Sequence, residues 1–313
     1  MDAQVLDGAS GTLLENWGLE MHPKLWAAVC ILPENISYVS KYYQAYIDAG
    51  ATVLTTPTYQ ATFAGFEGLL TPQEVEKQFK AVVDVARDLI QQRNGAQPVK
   101  IAASVGPFGA SLLGGQEFNG DYGHATVDDI YNFHAARFDA FLNSKPDIIL
   151  FETIANRLEC EAIIRLLADR PSITTPVWVA FSIKWGHDGD NVALADGTPL
   201  SEIAAMPWPE SVEMFGGNCF PPKFARKLIE ELEPFHRPLI IYPNSGEVYD
   251  GITKEWAPAP LDQQAQLTPS VVKDWYDHGV RVFGGCCRTD PAYISNLAQS
   301  VHSVLGFAEG SAS

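Results

Sequence analysis

The sequence is poor in cations, cysteine and histidine. Lysine and arginine together number 21 against 38 aspartates and glutamates, a formal net charge of -17. Such a chain repels phosphate backbones and anionic lipid, so neither nucleic acid nor a membrane surface is an expected partner. Long apolar runs are missing too, and nothing approaches the roughly 20 residues of a membrane-spanning helix. Met1-Asp2-Ala3-Gln4 has neither the basic start nor the apolar run of a secretory leader, which predicts a cytoplasmic protein. Cysteines number five, an odd count that speaks against a disulfide framework and for reduced thiols. The glycines at 106, 109, 114 and 115 lack the G-x-G-x-x-G spacing of a dinucleotide loop and predict a lid-like loop instead. The histidines show no i,i+4 pairing, so His187 and its neighbour Asp188 are assigned to a surface loop. There is also no composition break or linker, which predicts one domain over residues 1–308 and a frayed tail at 309–313.

What the chain does have is a recurring short apolar run. Eight occur: Val5-Leu6, Thr52–Leu54, Val99–Ala103, Ile148–Phe151, Val177–Phe181, Val212–Phe215, Leu239–Tyr242 and Val280–Phe283. Most are nearly unbroken in hydrophobicity, as strands of a parallel sheet covered on both faces are. Helical periodicity separates them at 36–48, 72–92, 127–143, 157–169, 221–232, 270–278 and 291–305, with a shorter stretch at 200–206. Thr71-Pro72-Gln73-Glu74 carries a capping threonine, a first-turn proline and a capping glutamate. Gly50 and Gly279 stand where a helix stops before the next strand. Eight strand–helix units predict a closed (β/α)8 TIM barrel rather than an open doubly wound sheet. Long loops follow the first, third, fifth and seventh runs, at about 8–34, 104–125, 182–199 and 243–267, and the loops after the strands build the active site of such barrels.

Two strand ends stand out. Val282-Phe283-Gly284-Gly285-Cys286-Cys287-Arg288 ends on two adjacent thiols, and Met214-Phe215-Gly216-Gly217-Asn218-Cys219 delivers a third. The glycines allow a close backbone approach and a sharp turn. Adjacent cysteines admit a vicinal disulfide or plain core packing. A metal centre accounts in addition for both thiol sites following Gly-Gly at a strand end, and three thiolates leave one corner of a zinc tetrahedron open. The residues just past the other runs complete a rim: Asp7-Gly8, Thr55-Thr56, Ser104, Glu152-Thr153, Ser182 and Asn244. Taken singly, each is a loop cap or a salt-bridge partner. Taken with the thiols, they describe a site, with Asp7, Thr55, Glu152 and Asn244 as its substrate-binding candidates.

These residues carry a resemblance. The chain is similar to the zinc-dependent homocysteine S-methyltransferases, and to the homocysteine module of cobalamin-dependent methionine synthase, from Leu6-Asp7-Gly8 to Gly284–Arg288. The matching stretches are Thr55–Ala61, Gly106–Ala110, Phe151-Glu152-Thr153, Gly216–Cys219, Tyr242–Glu247 and the double cysteine. The resemblance implies that Cys219, Cys286 and Cys287 hold Zn2+ as the catalytic centre. It implies that Asp7 and Glu152 orient the amino-acid end of homocysteine. Betaine-dependent members carry a tyrosine after the glutamate; Thr153 stands here, and the pattern leans to the S-methylmethionine-dependent branch.

The implied chemistry is methyl transfer from a sulfonium donor, S-methylmethionine or S-adenosylmethionine, to the thiolate of homocysteine. A free thiol has a pKa near ~8.5, whereas a metal-bound one is deprotonated outright. Trp17, Trp26, Tyr59 and Phe63, in the first two strand-end loops, are candidates for cation–π contact with the sulfonium, or for ordinary packing. Selenocysteine or selenohomocysteine as acceptor is the alternative, and a zinc-buffering or redox thiol protein the non-enzymatic one. A zinc hydrolase would want histidine at the strand ends, and there is none. A monomer or small homo-oligomer is expected.

Overall fold

The eight apolar runs form eight parallel strands of one sheet. The computed structural model describes residues 2–93, 97–186, 191–250, 255–257 and 267–305. The tail 309–313, His187-Asp188 and most of the loop expected at 243–267 lie outside those residues. The strands are β1 (Gln4–Val5), β2 (Val53–Thr55), β3 (Lys100–Val105), β4 (Ile148–Ile154), β5 (Val177–Phe181), β6 (Val212–Asn218), β7 (Leu239–Tyr242) and β8 (Val280–Phe283). Neighbours in the sheet are neighbours in the chain. β1 pairs with β8 at Gln4–Val282 and Val5–Phe283, and a parallel bridge from Leu6 to Val53 closes the ring between β1 and β2. The result is the (β/α)8 barrel.

The helices after the strands are α1 (Ile36–Asp48), α2 (Pro72–Gln92), α3 (Val127–Ser144), α4 (Arg157–Ala168), α5 (Leu200–Ala204), α6 (Ala225–Leu232), α7 (Pro269–Asp277) and α8 (Pro291–Leu305). The expected capping box opens α2: Glu74 N donates to Thr71 Oγ1 at 3.3 Å, and Thr71 N donates back to Glu74 Oε2 at 2.8 Å. Gly50 and Gly279 take φ of +93° and +94° directly after α1 and α7, which costs no Cβ clash. The helix expected over 221–232 begins instead at Ala225. Pro221 and Pro222 hold the first turn as a 3-10 segment, Pro222–Phe224. The loop after β5 contains an antiparallel hairpin, Ile183–Trp185 against Val192–Leu194. Among the described residues no helix is long and apolar enough to cross a membrane.

Two apolar layers stabilise this arrangement. One lies between sheet and helices. The other fills the barrel and includes Leu6, Val53, Ala102, Ile148, Leu150, Trp178, Met214, Ile240 and Val282. Strand side chains alternate faces with a period of two. Each inward row therefore continues to the carboxyl end of its strand: Val53 to Thr55, Ala102 to Ser104, Leu150 to Glu152, Met214 to Asn218, Ile240 to Tyr242. The barrel core thus determines which polar residues face the mouth.

Candidate active site

A cavity of about 700 Å³ opens at that mouth. Its lining brings together Asp7, Thr55, Ser104, Glu152, Cys219, Cys286 and Cys287, the residues picked out at separate strand ends. Asn244 does not line it. Its Oδ1 accepts a hydrogen bond from Cys287 N at 3.1 Å, so it holds the double-cysteine turn from behind. Ser182 does not line the cavity either; it is buried, and its backbone bonds to Ile154 and Ala195.

The three sulfurs all lie within 4.8 Å of one another, with Cys219 Sγ and Cys287 Sγ 3.2 Å apart. Among the described residues no other group of three or more metal-ligating side chains converges in this way. Tetrahedral thiolate bonds of about 2.3 Å hold sulfurs roughly 3.8 Å apart, so the triad fits one soft metal ion. Cys219 and Cys286 hydrogen-bond to Cys287 and hold its thiol well below the usual range, whereas Cys219 and Cys286 themselves are held well above it. Asn218 Nδ2 approaches Cys286 Sγ at 3.9 Å, a polar contact of the kind that supports a ligating sulfur.

The glycines before the thiols act differently from the expected turn. Gly216 and Gly217 are strand residues of β6, not a turn. A Cβ on Gly216 would sit 1.7 Å from the carbonyl oxygen of Ile240, so glycine is required by the approach of β7. The turn comes later, at Cys219 itself, whose φ is +59°. Thr153 takes φ of +60°, an outlier for a β-branched residue, directly after Glu152. Asn218 holds it in place: Oδ1 accepts from Thr153 N at 2.9 Å and Nδ2 donates to Thr153 Oγ1 at 2.8 Å.

Both carboxylates are buried and hydrogen-bonded. Asp7 Oδ2 accepts from Tyr42 Oη at 2.6 Å and from Thr55 N at 2.7 Å, and Thr55 Oγ1 reaches Oδ1 at 3.0 Å. Burial raises Asp7 to about 7, against the lowering pull of those bonds. Glu152 accepts from Ser104 Oγ and, at 3.1 Å, from Tyr242 Oη; burial raises its pKa as well. Thr55 therefore serves Asp7, whatever else it touches.

Asn218, Tyr242 and Tyr42 escaped the sequence analysis. The first two lie inside β6 and β7, not past them, and the period of two from Met214 and Ile240 would have found them. No sequence signal marks Tyr42, which reaches Asp7 from α1. Of the four candidate aromatics, Trp26 and Tyr59 line the cavity. Trp17 and Phe63 pack against the core, Trp17 with Lys41 Nζ 3.9 Å from its ring centre and Phe63 beside Phe79.

Three convergent thiols beside two buried carboxylates at a (β/α)8 mouth define a thiol-centred barrel enzyme. The chain belongs to the homocysteine S-methyltransferase family, whose model matches residues 4–301. It is 36% identical to Homocysteine S-methyltransferase 4 of Zea mays, over 95% of this chain and 89% of that one. It is 35% identical to the selenocysteine methyltransferase of Astragalus bisulcatus, over 96% and 93%. The metallated form of the homocysteine methyltransferase MmuM from Escherichia coli superposes with a TM-score of 0.80 at 31% identity, covering 96% of each chain.

Proposed function

We propose that this enzyme transfers a methyl group from a sulfonium donor, S-methylmethionine in preference to S-adenosylmethionine, to the sulfur of L-homocysteine. The observation that carries this is the thiol triad opening onto the same cavity as two buried carboxylates. Cys219, Cys286 and Cys287 would hold Zn2+, which when bound keeps the substrate sulfur as a thiolate at neutral pH. Asp7 and Glu152 face the cavity as acceptors for the homocysteine ammonium. Their own donors, Tyr42, Thr55, Ser104 and Tyr242, fix the orientation of both carboxylates before substrate arrives. The thiolate attacks the donor methyl in line. A lone pair of the thiolate forms the new S–CH3 bond, and the pair of the broken bond stays on the donor sulfur as a neutral thioether. With S-methylmethionine both products are methionine. No general base acts in this step, because the thiol proton has already left. Tyr59 and Trp26 offer ring faces to the sulfonium.

Thr153, in place of the tyrosine of betaine-dependent members, and the absence of a dinucleotide-type glycine loop favour S-methylmethionine. The likeness to a selenocysteine methyltransferase supports selenocysteine or selenohomocysteine as a second acceptor. A reducing, cytoplasmic setting suits three free thiols. The test is methionine formation from homocysteine with each donor in turn, before and after chelation and with zinc returned. Turnover that is lost on chelation, restored by zinc and fastest with S-methylmethionine is expected. Equal or better rates with S-adenosylmethionine overturn the donor, and turnover without metal overturns the centre.

A further inference from the structure

We propose that Glu117, with Gln60, seats the α-ammonium group of the methyl donor. This rests on the donor being an amino-acid sulfonium, as proposed above. The cavity is far larger than one small amino acid needs, so both substrates share it. Among the described residues its acidic lining consists of Asp7, Glu15, Glu117 and Glu152. The single arginine in that lining, Arg288, is committed to Glu247 Oε2 at 2.5 Å. Two of the acids, Asp7 and Glu152, already accept from the chain's own donors and are assigned to homocysteine above. Glu117 differs, because its Oε2 is buried and accepts no hydrogen bond. Gln60 Oε1, on the same cavity, is also buried without a donor. Glu117 lies within electrostatic reach of Tyr59, the neighbour of Gln60, and of Cys287. Both orphan acceptors thus belong to residues that line the cavity onto which the thiols open.

A buried acceptor atom left without a donor is unfavourable, so the pair suits a ligand that brings N–H groups. An ammonium brings three. The sulfonium centre brings none, and its charge vanishes on transfer. A carboxylate beside it would stabilise the ground state over the transition state and slow the reaction. The ammonium keeps its charge throughout, so Glu117 would bind donor and transition state alike. The backbone holds Glu117 at this position. It sits in a one-turn helix, Gln116–Asn119, between Gly115 and Gly120 at φ of +79° and +70°. Asn156 Nδ2 ties that turn to α4 by donating to Gly120 O at 2.7 Å.

The experiment uses the zinc-loaded enzyme, Glu117→Gln and Glu117→Asp, with two donors. One is S-methylmethionine. The other is dimethylsulfoniopropionate, which has the same dimethylsulfonium end but lacks the amino-bearing carbon, followed as substrate or as competitive inhibitor. Glu117→Gln is expected to raise KM for S-methylmethionine about 10- to 100-fold, as loss of a charge-assisted bond does, with kcat little changed. KM for homocysteine and the apparent affinity for dimethylsulfoniopropionate stay at wild-type values, and Glu117→Asp recovers part of the loss. Equal weakening toward both donors, or a rise in the homocysteine KM, makes Glu117 a shaping residue of the lid and overturns the inference. Wild-type turnover with an indifferent Glu117→Gln overturns Glu117 alone, whereas a wild type inert to every sulfonium overturns the functional proposal with it.

Discussion

Asn218 and Thr153 hydrogen-bond to each other twice across the barrel mouth, from β6 to the end of β4. The pair fixes two things at once. It holds Thr153 at a φ its branched side chain resists, and it anchors the residue immediately before Cys219. Asn218→Ala is expected to leave a buried N–H unpaired at Thr153 and to destabilise the fold by about 1–3 kcal/mol. Denaturant midpoints measure the loss. Metal affinity should fall in the same variant, whereas a stability loss with unchanged metal affinity would confine Asn218 to the backbone role.

Each of Cys219→Ala, Cys286→Ala and Cys287→Ala is expected to lower metal content well below one ion per chain and to abolish turnover. The barrel carries its own apolar core, so all three variants should retain wild-type circular dichroism, unlike a zinc finger. Full metal occupancy in any two of them would remove the triad from the chemistry.

Asp7 makes a signed prediction with pH. Burial raises it from 3.8 to about 7, so the folded state retains a proton that the unfolded chain releases. The corresponding stability is fully present below the unfolded value and is lost as pH rises through 7. Wild type should therefore lose stability relative to Asp7→Asn over that window. Homocysteine affinity runs the other way, strengthening as Asp7 ionises, and the variant should lose this dependence. Parallel profiles for the two proteins in both measurements would count against Asp7 as the titrating group.

Glu159 prediction concerns the support of the site. It is fully buried on α4 and accepts from Phe108 N at 2.6 Å, from His134 at 2.7 Å and from Tyr122 Oη. Its charge offsets Arg137, which is buried and holds the loop after β3 through Gly106 O at 2.6 Å. Glu159→Gln keeps the shape but removes a negative charge that acts on the buried Arg137 and weakens the charge-assisted bonds Glu159 accepts, for an expected cost of about 1.5–3 kcal/mol. Thermal melts read it, and the double variant with Arg137→Met should recover part of the loss. A single variant as stable as wild type would show that Arg137 needs no counter-charge.

The barrel was legible in the sequence because its signals are local. Apolar runs, helical spacing, the Thr71–Glu74 cap and the glycines at 50 and 279 each act over a few residues. The strand-end census located the thiols and carboxylates for the same reason, since in a barrel every strand delivers its last residues to one mouth. Pairing was another matter. That Tyr42 orients Asp7, that Asn244 supports Cys287 rather than lining the cavity, and that Trp17 takes Lys41 all depend on which side chains meet across 24 to 43 positions of chain. The carbonyl of Ile240 on β7, and no turn, makes Gly216 obligatory. Local sequence sets conformation and the direction each side chain takes from the backbone. Hydrogen-bond partners and close approaches arise only when separate strands are brought into register, and so they belong to the tertiary structure.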